Sequence, residues 1–296
     1  MEANIAVAMK GVRKRLDTFE IGTIDLQLEE GFVYAVVGPN GAGKSTLFSM
    51  LMNGLKPDQG QVQMFGMDYE QDDVMIKRRI AYASNRQMWE EAELSTVKDL
   101  VDFESLWYPN WDSNQFTNLV KKFGIDRNAK LLKMSTGERQ RLSIAVALAK
   151  NTDLLIMDEA TNGLDFMTSK IIVDQIGKFM DNDGRTVVFA THILDEIKRL
   201  ADYIILQENG VIKGIFEKDE LLSTTKAYWI ERLPEQGEQT PGVIRVDLTG
   251  RVTGPVRIIT SQVQATESEL IRQQIPIISV ESLELDEILS FYMENN

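Results

Sequence analysis

One nine-residue run, Gly38-Pro39-Asn40-Gly41-Ala42-Gly43-Lys44-Ser45-Thr46, constrains this chain more than any other stretch. It fits the phosphate-binding pattern G-x-x-x-x-G-K-[ST] with an extra glycine. The apolar run Val33-Tyr34-Ala35-Val36-Val37 before it reads as a buried strand. Leu47-Phe48-Ser49-Met50-Leu51-Met52 after it reads as a helix ended by Asn53-Gly54. Strand, glycine loop and helix in that order call for an α/β fold in which a strand delivers the loop to a helix start. Glycines let backbone N–H groups approach phosphate oxygens without a Cβ in the way, and the helix N-terminus adds partial positive charge. Lys44 can then reach the β- and γ-phosphates, and the Ser45 hydroxyl is placed for Mg²⁺.

The pattern continues along the chain. Strands are expected at Asn4–Met9, Ile21–Leu28, Val62–Phe65 and Ile80–Ala83. Residues from Ser95 to about Lys150 are mainly helical by periodicity, with a helix start at Ser95-Thr96 ahead of Asp99 and a turn at Tyr108–Asp112. Leu154–Met157 and Thr186–Ala190 read as strands, Lys170–Met180 and Ile193–Leu200 as helices. Asn209-Gly210 between two apolar runs marks a hairpin. Alternation of this kind predicts a largely parallel sheet with helices on both faces. A polar stretch with Pro234, Gly237, Pro241 and Gly242 reads as a linker. The expected organisation is a phosphate-loop domain over 1–220 with a helical subdomain at about 86–145, a linker over 221–242, and a small α+β appendage over 243–296 resembling a βαβα unit.

Composition narrows the partners. The chain has 296 residues and a net charge of −13, from 32 basic and 45 acidic side chains. Such a chain offers no broad electrostatic footprint for nucleic acid, so no nucleic-acid partner is expected. With no cysteine there is no disulfide, thiolate metal site or cysteine nucleophile. The N-terminus lacks a basic region followed by an apolar core, and no apolar run approaches the ~18 residues of a membrane-spanning helix. A cytoplasmic chain able to dock on a membrane protein is expected.

Three further features carry chemistry. Leu154-Leu155-Ile156-Met157-Asp158-Glu159 is an apolar strand ending in two carboxylates, at the strand end where ligands collect in such sheets. Asp158 can hold Mg²⁺, and Glu159 is placed to orient or deprotonate water. His192, the only histidine, follows a predicted central strand and precedes a helix, where it can contact a γ-phosphate. Ser135 precedes a strong helix with Glu138 three residues on. That spacing is a capping box, which needs no ligand, although the same N–H groups would also suit a phosphate.

These pieces, in this order, resemble the ATP-binding cassette (ABC) ATPases over about Ile5–Phe216. Gly38–Thr46 is similar to the family's Walker A loop residue for residue. Met134-Ser135-Thr136-Gly137-Glu138 resembles its LSGGQ signature, with Thr136 and Glu138 in place of Gly and Gln. Asp158-Glu159 resembles the Walker B end, Thr161–Asp165 the D-loop and Thr191-His192 the switch histidine. The resemblance implies a P-loop NTPase core with a helical and an antiparallel β subdomain. It implies ATP and Mg²⁺ as ligands, with Ser45, Asp158 and Asn85 near the metal. It implies a head-to-tail pair of cassettes, identical or not, in which Ser135, Gly137 and Asp165 of one subunit face ATP on the other. Tyr108–Asp112 and the appendage resemble the YtrB-like group of bacterial exporter-type ATPases, although Trp107, Tyr108 and Trp111 serve equally well as helical-subdomain core. This implies an ATPase that powers a separate membrane permease, an exporter as in the group it resembles, from the inner face of the cell membrane. The rival readings are a non-transport ABC protein of translation or DNA maintenance and a regulatory ATPase. The chain departs from the family pattern at the Q-loop, where Asn85 stands and Gln87 follows two residues later. Ala160 and Phe166 replace prolines, and Phe19 is the candidate for stacking on adenine.

Overall fold

The computed structural model describes residues 4–17, 19–84, 94–247 and 255–294. The chain divides into two compact units, Met1–Ile215 and Phe216–Asn296.

The first unit opens with β1 (Ile5–Arg15), β2 (Glu20–Glu29), β3 (Val33–Val37), α1 (Lys44–Leu51), β4 (Gln59–Met64), β5 (Met67–Asp68), α2 (Tyr69–Arg79) and β6 (Ile80–Ser84). It continues with α3 (Val97–Trp107), α4 (Ser113–Lys122), α5 (Thr136–Ala149), β7 (Leu154–Asp158), α6 (Phe166–Met180), β8 (Thr186–Ala190), α7 (Leu194–Leu200), β9 (Tyr203–Glu208) and β10 (Val211–Glu217). Two sheets result. Strands β2-β1-β4-β5 form an antiparallel sheet, and β10-β9-β3-β8-β7-β6 a six-stranded one in which β9, β3, β8, β7 and β6 run parallel.

Sequence chemistry explains the difference. Every residue of β3, β7 and β8 is buried, as expected of short apolar strands covered on both faces. By contrast β2 alternates buried and exposed residues, the mark of one covered face. The cluster that joins the sheets includes Val7, Ile24, Phe48, Leu51, Met64 and Ile156. The parallel order sends β3, β7 and β8 out at one edge, which places the glycine loop, the carboxylate pair and His192 side by side.

Helix α2 went unrecognised in the sequence because only Ile76 of its eleven residues is buried, leaving no apolar stripe to read. Helix α3 does start at Thr96, where the backbone N–H of Asp99 bonds the Thr96 hydroxyl and Asp99 returns a bond to the Thr96 N–H. The Tyr108–Asp112 turn sits on the end of α5, with the Asp112 N–H donating to the Ala149 carbonyl at 2.8 Å and Trp111 5.7 Å from the Phe116 ring.

The second unit comprises α8 (Lys218–Thr224), β11 (Lys226–Ile230), β12 (Val243–Asp247), β13 (Val256–Thr260), α9 (Val263–Arg272), β14 (Ile277–Ser282) and α10 (Leu285–Glu294). Its sheet, ordered β12-β13-β11-β14, is antiparallel throughout. The expected βαβα order is present as β13-α9-β14-α10, preceded by β12. One expectation is corrected: the sheet begins inside the stretch expected to be a linker. Strand β11 is an inner strand, because its alternation puts Tyr228 and Ile230 into a core with Ile258, Leu270 and Ile275. The polar segment that follows β11 is a connection within the unit.

Candidate active site

The glycine loop runs from the end of β3 to the start of α1. A Cβ at Gly38 would stand 1.9 Å from the Gln207 carbonyl oxygen, so only glycine lets the loop leave the sheet there. Gly41 and Gly43 adopt φ of 83° and 102°, the left-handed region that side chains disfavour. Gly43 is the N-cap of α1, and neither a side-chain cap nor an acidic residue occupies that first turn. The N–H groups of this helix start are therefore left for another acceptor.

Lys44 is only 7% exposed, yet its ammonium bonds the carbonyl oxygens of Gly38 and Pro39 at 2.8 and 3.1 Å and forms no ion pair among the described residues. A buried cation held by carbonyls alone, beside open N–H groups, fits a phosphate group. Phe19 lies beside this loop, its ring carbons 3.1 Å from where Gly43 and Gly210 would carry a Cβ. The turn at Asn209-Gly210 bonds in two directions: the Gly210 N–H donates to the Ala42 carbonyl at 3.0 Å, and the Gly22 N–H to the Gly210 carbonyl at 2.8 Å.

Asp158 ends β7 in register with Ser84 of β6 and Ala190 of β8. The Tyr82 hydroxyl donates to its carboxylate at 3.3 Å. Ser45 and Asp158 line one cleft of about 730 Å³, together with Ser49, Tyr82, Tyr108 and Lys150. A hydroxyl and a carboxylate facing one phosphate site fit a hard cation such as Mg²⁺, which would draw further oxygens from the nucleotide. Asn85 and Gln87, the Q-loop candidates, lie outside the described residues.

Glu159 follows with φ of 50°, a strained conformation for a side chain of its size. Three contacts hold it there. Its N–H donates to the Ala190 carbonyl at 3.1 Å, the Asn162 amide donates to its carboxylate at 3.0 Å, and the Gln140 amide donates to its carbonyl at 3.4 Å. Gln140 also bonds the Asn162 carbonyl at 2.9 Å, tying α5 to the carboxylate loop. Sequence reading missed Gln140. Its signal, a glutamine inside an apolar helix, points to a buried bond but not to the partner.

His192 lies exposed beyond β8. Asp165 caps α6, accepting from the Thr168 N–H at 3.0 Å and the Thr168 hydroxyl at 2.6 Å, and these bonds hold its pKa below the usual range. At α5 the Ser135 hydroxyl and N–H both donate to Glu138, at 2.7 and 2.8 Å, and the Glu138 N–H donates back at 3.3 Å. Gly137 lies in the same first turn. The Ser135 N–H, then its hydroxyl, lower the Glu138 pKa.

A sheet edge with an open glycine-capped helix start and a carboxylate pair two strands away binds a nucleoside triphosphate and cuts its terminal phosphate. This is the architecture of a P-loop NTPase. Comparison with known proteins agrees. The family profile described as ABC transporter matches residues 21–162. The daunorubicin/doxorubicin resistance ATP-binding protein DrrA of Streptomyces peucetius is 36% identical over 70% of this chain and 63% of its own length. The ABC transporter ATP-binding protein NatA of Bacillus subtilis is 30% identical over 66% of this chain and 81% of its own. The chain belongs to the ABC transporter family, as an ATP-binding ATPase. A solved ATP-binding subunit of an ABC transporter shares the fold, with a TM-score of 0.63 at 20% identity over 74% of this chain and 92% of its own.

Proposed function

We propose that this protein is the ATP-hydrolysing subunit that powers a separate membrane permease, with export as the direction. The observation that carries the reading is the convergence of Lys44, Ser45, Asp158 and Glu159 at one edge of the parallel sheet. Two copies, or this chain and a second cassette, close head to tail on ATP. Ser135 and Gly137 of one then face the γ-phosphate held by Lys44 of the other, with Asp165 at the joint. Phe19 stacks on the adenine.

Bound Mg²⁺, held by Ser45 and Asp158, would neutralise charge on the β- and γ-phosphates. Glu159 accepts a proton from water as the water oxygen bonds the γ-phosphorus. The bond from that phosphorus to the β-phosphate oxygen breaks and ADP leaves. Asn162 fixes the carboxylate, and His192 holds the phosphate in line. Catalysis here is positioning and charge stabilisation.

Among the described residues no helix is long and apolar enough to cross a membrane. In the proposed arrangement the permease is a separate chain, and this protein sits on the inner face of the membrane. The cleft beside Asp158 runs to Val74 and Trp107, and Phe103 and Leu106 are exposed nearby on α3, an apolar surface suited to a permease loop. Similarity to a drug-resistance ATP-binding protein supports export.

The test uses Glu159→Gln in the full chain. Turnover should fall about 10²- to 10⁴-fold while ATP stays bound and holds the subunits together. Parent-like turnover would remove Glu159 as the base. Mild-detergent purification of the tagged chain from native membranes should bring down a multi-span protein in stoichiometric amount. Recovery with ribosomes or DNA-repair proteins instead would overturn the transport role.

A further inference from the structure

Glu196 on α7 is an acid that the mechanism above does not use, and it is only 4% exposed. One of its oxygens, Oε2, accepts two hydrogen bonds. The Thr161 hydroxyl donates at 2.9 Å and the Thr191 hydroxyl at 2.8 Å. Thr161 and Thr191 are 5% and 2% exposed, so the three side chains form one buried polar cluster. The two threonines lie on different loops. Thr161 stands between Glu159 and Asn162, beyond β7, while Thr191 immediately precedes His192, beyond β8. Thr191 also accepts from the Ile193 N–H at 3.0 Å, which fixes the backbone on the far side of His192.

We propose that Glu196 is a positioning residue that clamps the His192 loop to the Glu159–Asp165 loop, so that both meet the nucleotide in one register. The proposal rests on the assignment of hydrolysis to Glu159 and His192. Both loops leave neighbouring parallel strands: Gln140 of α5 holds the first from one side, and the Glu159 N–H bonds Ala190 at the root of the second. Beyond those roots, the Glu196 oxygen shared by two hydroxyls ties Thr161 of one loop to Thr191 of the other. Nothing about the site calls for an acid on packing grounds, because its surroundings are Met157, Ala160, Ile172, Phe189 and Ala190. The second oxygen, Oε1, has no hydrogen-bond partner among the described residues. An apolar side chain would suit these walls better, and the acid is retained for what Oε2 holds. Burial raises the carboxyl pKa, and the two threonine hydroxyls pull it back in part. Glutamine places an acceptor oxygen where Oε2 stands, so it keeps the shape and can accept from both threonine hydroxyls.

The experiment measures ATP turnover and equilibrium ATP binding in the full chain for Glu196→Leu, Glu196→Gln, Thr161→Val, Thr191→Val and the double threonine variant. Loss of alignment at a reacting centre costs about 10- to 100-fold in rate. E196L should lose that much kcat with ATP affinity within about 2-fold, because the phosphate loop is untouched. E196Q should restore most of the rate. The two threonine changes should be non-additive, each breaking the same link. If E196L does not fold, the threonine cycle decides. Parent-like kcat in E196L, failure of E196Q to restore it, or additive threonine effects would overturn the clamp. A parent chain that binds ATP without turnover would instead overturn the role of Glu159. The clamp would then be read from amide exchange at Asn162 and Ile193, which E196L must accelerate if the link exists.

Discussion

Helices α1 and α5 begin in opposite chemical states. At α1 the cap is Gly43 at φ 102°, and its first turn has no side-chain bond and no carboxylate. At α5 the cap is Ser135, bonded both ways to Glu138 three residues on. Every helix start exposes N–H groups that need acceptors. The first helix leaves that need to a ligand, while the second meets part of it locally: the Ser135 hydroxyl takes the Glu138 N–H, and the Glu138 carboxylate takes the Ser135 N–H. A helix start becomes a phosphate site through the absence of local acceptors as much as through the presence of glycines. At α5, a phosphate would have to compete with Glu138 for the Ser135 hydroxyl.

The sharpest way to break this contrast is to move the closing carboxylate. Thr46 occupies in α1 the third position that Glu138 occupies in α5. A carboxylate about 4 Å from a phosphate opposes it by about 4 kcal/mol at an effective dielectric of 20, so Thr46→Glu should weaken ATP binding on the order of 100-fold or more. Titration calorimetry would show it, and unchanged affinity would mean that the phosphates do not sit at α1.

Lys44→Ala removes the buried ammonium, and charged hydrogen bonds of this kind are worth about 1.5–3 kcal/mol, or about 10- to 100-fold in ATP affinity. The same titration checks it.

Ser135→Ala removes the cap of α5. Loss of such a cap lowers stability by about 1 kcal/mol, visible in chemical denaturation of the first unit. A neutral result would mean that the capping box closes nothing that water could not.

The smallest effect is in acid. Glu138 has its pKa lowered in the folded chain, first by the Ser135 N–H and then by its hydroxyl. Its contribution is therefore complete above the unfolded value, near 4.3, and is lost as pH falls through the lower folded value. The difference in melting temperature between the parent and Glu138→Gln should shrink below about pH 4 and stay constant from pH 6 to 8.

What the sequence disclosed divides along the same line. Both helix starts were legible because a glycine loop and an i to i+3 capping pair are local chemistry. The buried strands β3, β7 and β8 were legible because their apolar runs fit no other role beside those loops. Helix α2 was hidden by its polar composition, and β11 by the turn-forming residues just after it. Gln140, which ties α5 to Glu159, and Glu196, which bonds two threonines on separate loops, could not be read. The partners of Gln140 lie 19 and 22 residues away and Thr161 lies 35 from Glu196, so these groups meet only after the sheet forms.

The Asn209-Gly210 turn is bonded through its backbone to both the glycine loop and β2. Its amide reaches Ala42 in the glycine loop, and its carbonyl takes the Gly22 amide of β2. Two backbone protons, on Gly210 and Gly22, thus lie in series between the antiparallel sheet and the nucleotide loop. Their exchange with solvent deuterium would serve as a built-in gauge of loop order, slowing when the loop is held and quickening when it is freed, with no label attached near the phosphates.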